Sequence, residues 1–88
     1  VARKLGVKLA VENHKDFRTD EQLDLLRGLG SPWVGVCVDT GNNIALLEDP
    51  AAAVAALAPL ALTVHLKDMA LEESPDGFRL SEVPLGQG

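Results

Sequence analysis

Trp33-Val34-Gly35-Val36-Cys37-Val38-Asp39 decides how this chain folds. Val34, Val36 and Val38 take every second position, and Trp33, Gly35, Cys37 and Asp39 take the alternate ones. Successive side chains of a strand point to opposite faces. The run therefore reads as a strand with one aliphatic face and one small or polar face that ends on a carboxylate.

Working outward, the runs Val7 to Glu12 and Leu62 to Lys67 sort the same way. Val7, Leu9 and Val11 share one face of the first, and Leu62, Val64 and Leu66 share one face of the last. The opposite faces carry Lys8, Ala10 and Glu12, then Thr63, His65 and Lys67. Each run is rich in Val and Leu and bounded by turn residues, as expected of buried strands. A sheet buried on both sides is aliphatic on both. One face that is polar at matching positions on successive strands is the pattern of a barrel interior near its mouth, where functional groups come from strand ends.

Helical patterns fill the gaps. The first opens at Thr19, with Gln22 three places on in a capping-box arrangement. It carries Leu23, Leu26 and Leu29 at helical spacing and closes at Gly28 and Gly30. The second has Asp49 as N-cap and Pro50 at its first position, and runs through an Ala-rich stretch to Pro59. The order is β-α-β-α-β, which argues for parallel strands joined by right-handed crossovers. Asp39 follows Glu12 by 27 residues and His65 follows Asp39 by 26, so the repeat is one β/α unit. Val1 to Leu5 reads as the last turn of a helix. Pro75-Asp76-Gly77, flanked by Leu71, Phe78 and Leu80, reads as the turn of a short hairpin after the third strand.

With 88 residues the chain is short of the roughly 250 of a complete barrel. Residues 1–88 are expected to be a single partial domain of a (β/α)8 barrel that does not fold alone because two sheet edges stay open. Hydrophobic residues make up 47% and charged residues 24%, as in a globular chain. The net charge of −5 repels phosphate backbones, so nucleic acid is not an expected partner. No apolar run approaches the roughly 18 residues of a membrane span. One cysteine excludes an internal disulfide and suits a reducing compartment, so the expected location is the cytoplasm.

Glu12, Asp39 and His65 converge from neighbouring strand ends in this arrangement. Any one of them alone reads as a strand-end residue with its own cap or salt bridge. Three at matching parity and period read as ligands of one divalent cation, because buried carboxylates need a partner. The donor set suits Mn²⁺, Mg²⁺, Co²⁺ or Zn²⁺, and the lack of a thiolate argues against a structural zinc site. Cys37 lies on the same face but two residues deeper, as core. Trp33, at the far end of its strand, reads as barrel-floor packing, and Glu72-Glu73 as a solvated face.

Val11-Glu12-Asn13-His14, Val38-Asp39-Thr40-Gly41-Asn42, Val64-His65-Leu66-Lys67-Asp68 and Pro84-Leu85-Gly86-Gln87-Gly88 occur in this order at β/α spacing. At these segments the chain resembles the xylose isomerase-like TIM-barrel superfamily. That group includes sugar epimerases, hydroxypyruvate isomerase, inosose dehydratases and isomerases, and repair enzymes of the endonuclease IV type. The resemblance implies that the strands are the fifth, sixth and seventh of the barrel, so that residues 1–88 are a fragment of its C-terminal half. It also implies that Glu12, Asp39 and His65 are metal ligands, with a fourth, a Glu on the eighth strand, beyond Gly88. Arg18 stands where the ketose 3-epimerase branch has an acidic residue, and Asn42 where that branch and the endonucleases have His. Asp76-Gly77-Phe78 lacks the Asp-x-His pair of the endonucleases.

The activity so implied is that of a metal-dependent isomerase or epimerase of a sugar, cyclitol or keto-sugar. Glu12 is then both ligand and acid/base, and the proton leaves through an enediolate. His14, Asn42 and Lys67 are the candidate substrate-binding residues. Asn42 has a helix-capping alternative, Lys67 a salt bridge to Asp68, and Asp68 either orients His65 or caps a loop. The expected partner is a small sugar-like molecule, with a homo-oligomer left open. The competing readings are an endonuclease IV-like hydrolase and a non-catalytic sugar-binding barrel.

Overall fold

A computed structural model describes residues 1–88. It contains a short helical turn α1 (Ala2–Leu5), strand β1 (Leu9–Glu12), helix α2 (Thr19–Leu29) and strand β2 (Val34–Asp39). A 3₁₀ turn (Asn42–Leu46) leads to helix α3 (Pro50–Leu57), a second 3₁₀ turn (Ala58–Leu60) and strand β3 (Ala61–His65). Strands β4 (Asp68–Ser74) and β5 (Gly77–Val83) complete the chain. Strands β1, β2 and β3 form a parallel sheet in that order, while β4 and β5 form a separate antiparallel hairpin. The alternation expected from the sequence is therefore present. The strands are shorter: Val7, Lys8, Trp33, Leu66 and Lys67 lie outside them. No helix is long and apolar enough to cross a membrane.

The hydrophobic core sits between the central strand and the two helices. Val36 and Val38 of β2, Leu26 of α2 and Leu57 of α3 are buried together, with Leu23, Val34, Val54 and Leu60 packed around them. Burying side chains of this size stabilises by about 1.5–3 kcal/mol each. The aliphatic positions of the outer strands stay open: Leu9 is 54% and Val64 55% exposed. Only the middle strand of a three-stranded β/α unit has helices over its whole face, so β1 and β3 present the surfaces that further β/α units of a barrel would cover.

Local signals account for the element ends. Gly30 closes α2 in the left-handed conformation at φ 53°, which glycine adopts without strain. Asp49 caps α3 by accepting the Ala52 N–H at 3.0 Å, with Pro50 at the first helical position. The start of α2 differs from expectation. Arg18, not Thr19, is the N-cap, and the Glu21 carboxylate, not Gln22, reaches back to accept the Arg18 N–H at 2.8 Å. Gln22 is buried, and its side-chain amide donates to the Val11 carbonyl at 3.3 Å.

One strand breaks the parity expected of it. Val36 pairs with Ala61 and Cys37 with Thr63, so β3 carries an extra residue, Leu62, at a bulge. Ala61 occupies the outer face at that level, and Leu62 turns inward against Gly35. Glycine permits this. A Cβ built on Gly35 meets the Leu60 carbonyl oxygen at 2.5 Å and Leu62 Cγ at 2.7 Å. Beyond the bulge the pairing recovers, with Val38 opposite Val64 and Asp39 opposite His65.

The hairpin packs chiefly on itself. Its strands pair from Asp68 opposite Val83 to Ser74 opposite Gly77, which leaves Pro75-Asp76 as the turn, with Gly77 at φ 129°.

The two glycines of opposite surroundings give a paired test. Gly35→Ala is expected to destabilise the full-length protein by about 1–3 kcal/mol, because a backbone carbonyl cannot yield to the added methyl. Gly28→Ala, in α2 with open space around its Cβ position, is expected to stabilise by about 0.5–1 kcal/mol. Urea unfolding midpoints of both variants check this.

Candidate metal centre

Parallel pairing brings three strand ends to one edge of the sheet, two of them level and the third two residues lower. Glu12 ends β1, Asp39 ends β2 and His65 ends β3, with Glu12 opposite Cys37 and Asp39 opposite His65. One ligand atom from each lies within 4.8 Å of the others. His65 Nδ1 is 2.9 Å from Glu12 Oε1 and 3.1 Å from Asp39 Oδ2. A ring nitrogen carries at most one hydrogen, so it cannot satisfy two carboxylates at once. The cluster thus holds more lone pairs than protons.

Asp39 divides its two oxygens between different tasks. Oδ1 accepts the backbone N–H groups of Gly41 and Asn42, each at 2.8 Å. Oδ2 is buried and makes no hydrogen bond. Its neighbours, His65 Nδ1 and Lys67 Nζ at 3.4 Å, are close as charges but are not aligned as hydrogen bonds. A buried carboxylate oxygen without a hydrogen bond, facing a second carboxylate and an imidazole, is a fit for a divalent cation. Burial pushes the Asp39 carboxyl up, but the Gly41 and Asn42 amides and the Lys67 ammonium outweigh it, and the net shift is downward. Asp39 is therefore ionised. The other two donors are open to solvent: the side chains of Glu12 and His65 are 39% and 53% exposed.

A polar network beneath the cluster ties the strand ends together. The Asn13 carboxamide accepts the Asp39 N–H at 2.7 Å and donates to the Asp39 carbonyl at 2.8 Å. It also donates to Asn43 Oδ1 at 2.6 Å. Asn43 in turn donates to Glu48 Oε2 at 2.6 Å and to the Thr19 hydroxyl at 3.0 Å. Glu48 accepts the Thr19 N–H at 3.2 Å and its hydroxyl at 3.0 Å, and lies 3.7 Å from Arg18 Nη2. Asn13, Asn42 and Asn43 are each at most 2% exposed. In sequence, Asn13 stood only within the segment Val11-Glu12-Asn13-His14, and neither it nor Asn43 was a candidate site residue. The available signal was the placement of Asn13 directly after a ligand, at the end of an apolar strand.

The three candidate substrate-binding residues fall in different places. His14 is exposed on the loop after β1 and makes no hydrogen bond to the protein. Asn42 is buried with both ends engaged: Nδ2 donates to the Asn13 carbonyl at 3.1 Å, and Oδ1 accepts from Lys67 Nζ at 3.0 Å. Its backbone N–H is one of the two that cap Asp39. Lys67 lies beside the cluster, with its ammonium 3.1 Å from Glu82 Oε1 on β5. Burial lowers the Lys67 pKa, but Glu82 and Asp39 outweigh it and raise it overall, so the charge is retained. The salt bridge of Lys67 is thus to Asp39 and Glu82 rather than to Asp68.

Asp68 takes the loop-capping role. Its Oδ2 accepts three successive backbone N–H groups, Gly86 at 2.8 Å, Gln87 at 3.1 Å and Gly88 at 3.0 Å. Gly86 has φ 86°, and a Cβ on Gly88 would collide with the Asp68 carboxylate, which explains both glycines of Pro84-Leu85-Gly86-Gln87-Gly88. Cys37 stays outside the cluster. Burial first, then the Glu12 and Asp39 carboxylates, push its thiol pKa up, so it remains protonated.

Known proteins agree with this architecture. The family described as xylose isomerase-like TIM barrel matches residues 1–88, and the chain belongs to that family. It is 32% identical over 85 residues to 3-oxo-isoapionate decarboxylase of Pectobacterium atrosepticum, covering 94% of this chain and 31% of that protein. It is 28% identical over 83 residues to the uncharacterized protein YihM of Escherichia coli, covering 94% of this chain and 26% of that one. The chain thus spans about a third or less of the length of these relatives. No solved structure matches it.

The Glu48 network predicts an acid-sensitive contribution to stability. Burial raises the Glu48 pKa, but the Asn43 and Thr19 hydrogen bonds and Arg18 outweigh it and lower it overall. A depressed carboxylate stabilises the fold above its unfolded value and loses that contribution as pH falls through its folded value. Glu48→Gln is expected to destabilise the full-length protein by about 1.5–3 kcal/mol near neutral pH. The difference from the unmutated protein should shrink as the pH is taken below the ordinary glutamate range. Denaturation midpoints across that range measure it.

Proposed function

We propose, from this chain's membership of the xylose isomerase-like TIM-barrel family, that Glu12, Asp39 and His65 hold one divalent cation, Mn²⁺, Mg²⁺, Co²⁺ or Zn²⁺, in a metal-dependent isomerase or epimerase of a keto-sugar or related polyol. The observation that carries this reading is the buried Asp39 oxygen without a hydrogen bond, with the Glu12 and His65 donor atoms in the same cluster. The strands are read as the fifth, sixth and seventh of the barrel.

When bound, the cation supplies a Lewis acid that stabilises negative charge on the substrate's carbonyl and neighbouring hydroxyl oxygens. The remaining chemistry belongs to the side chains. Glu12 has a carboxylate open to solvent and serves as the base that takes the proton from carbon beside the carbonyl. Lys67 keeps a full positive charge next to Asp39 and donates a hydrogen bond to a substrate oxygen, which favours the enediolate over the ketone. His14, at the mouth, reaches the outer hydroxyls. Asn42 acts through Lys67, by accepting from its ammonium and holding it in place.

A second reading follows from one relative. The similarity to 3-oxo-isoapionate decarboxylase supports loss of carbon dioxide from a 3-oxo sugar acid. A 3-oxo acid that loses its carboxylate leaves the electron pair on the carbon beside the carbonyl, so the same enolate forms. Both readings place the chemistry at one centre and differ only in whether a proton or carbon dioxide departs.

Two measurements on the full-length protein test this. Mn²⁺ titration should show one site per chain, with binding weakened by at least about tenfold in Glu12→Gln and His65→Ala. Unchanged affinity in both variants would remove the ligand assignment. Incubation of keto-sugars in D₂O should show deuterium entering the carbon beside the carbonyl, with the rate reduced about 10²-fold or more in Glu12→Gln. Release of carbon dioxide from a 3-oxo sugar acid without such exchange would select the second reading.

A further inference from the structure

We infer that Asn13 is a positioning residue of the metal centre, an amide clamp that fixes Asp39 relative to Glu12 before any cation arrives. The inference rests on the metal reading of Glu12, Asp39 and His65 and adds a residue that touches neither cation nor substrate.

The backbone ladder between β1 and β2 stops at Glu12 opposite Cys37. Past that point nothing in the main chain of β1 holds Asp39. The Asn13 side chain takes over. Its oxygen accepts the Asp39 N–H at 2.7 Å and its nitrogen donates to the Asp39 carbonyl at 2.8 Å. One carboxamide thus does what the N–H and C=O of a neighbouring strand would do. Its second amide hydrogen goes to Asn43, and its backbone carbonyl accepts from Asn42.

The result is that Asp39 has every polar group anchored except one. Its main chain is held by Asn13, and Oδ1 is held by Gly41 and Asn42. Only Oδ2 remains, and it faces Glu12 and His65. Because Asn13 is the residue next to Glu12, the clamp couples two ligands on adjacent strands directly. The chemistry demanded of position 13 is specific. An amide offers a donor and an acceptor side by side; a carboxylate would oppose the Asp39 carbonyl with a second oxygen, and a serine hydroxyl, although it both donates and accepts, is one bond shorter and does not reach both groups.

The test separates positioning from general stability. Asn43→Ala breaks the same buried network without touching Asp39, so it serves as the control. In the full-length protein Asn13→Ala should weaken Mn²⁺ binding by about tenfold or more, and Asn13→Ser, which keeps at most one of the two contacts, should weaken it in the same direction. Asn43→Ala should lower the melting temperature comparably while leaving Mn²⁺ affinity within about twofold. In the metal-free protein, hydrogen exchange at the Asp39 amide should accelerate in both Asn13 variants. Unchanged Mn²⁺ affinity and unchanged Asp39 exchange in Asn13→Ser would overturn the clamp, even if Asn13→Ala fails to fold. A complete lack of Mn²⁺ binding by the unmutated protein would instead sink the metal reading, and exchange at Asp39 would then decide the clamp alone.

Discussion

Parallel strands in register share an axial level, and in this molecule that constraint governs everything else. Strands β1, β2 and β3 run the same way; β2 and β3 end level at Asp39 and His65, and β1 ends opposite Cys37, so residues separated by a whole β/α unit in sequence arrive within side-chain reach of one another. A shift of one residue in either ladder would turn Glu12 or His65 to the opposite face. The bulge at Leu62 shows how narrow the tolerance is. It displaces the pairing below Cys37, and the register is restored before His65 is reached.

Carboxylates gathered at such a level repel one another unless something compensates. The molecule compensates from two sides. On one side, the Gly41 and Asn42 backbone N–H groups donate to Asp39 Oδ1 and favour its charge, while Asn13 fixes the Asp39 main chain. Beside it, Lys67 is held by Glu82 from the hairpin and by Asn42. Neither arrangement consumes Asp39 Oδ2 in a hydrogen bond. Asp39 is thus bonded at its main chain and Oδ1 and left without a hydrogen bond at Oδ2, the oxygen that faces Glu12 and His65.

How much of this was readable from sequence follows from the range of the physics involved. Local alternation and capping reported the five main elements, and Pro75-Asp76-Gly77 reported the hairpin turn, because these depend on neighbours in the chain. The convergence of Glu12, Asp39 and His65 was legible from parity and from the even spacing of the units. Leu62 was placed on the wrong face because its bulge depends on the missing side chain of Gly35, a contact between strands. The roles of Asn13 and Asn43 were not legible because loop asparagines are mostly exposed, and only the assembled fold shows these two enclosed. The cap of α2 went to Arg18 and Glu21 because Thr19 is taken by Glu48, which lies far along the chain.

Asp68 and the loop Gly86–Gly88 carry a consequence for how such a chain can vary. Their contact joins the two ends of the excursion that contains β4 and β5, so the path leaves the sheet and returns to the place it left. Whatever lies between those ends is a detour whose length the rest of the fold does not sense through the main chain. Lengthening it, trimming it or grafting a foreign module in its place alters the rim of the barrel and, where Glu82 is lost, the setting of Lys67, while the contact of Asp68 with Gly86–Gly88 stays the same.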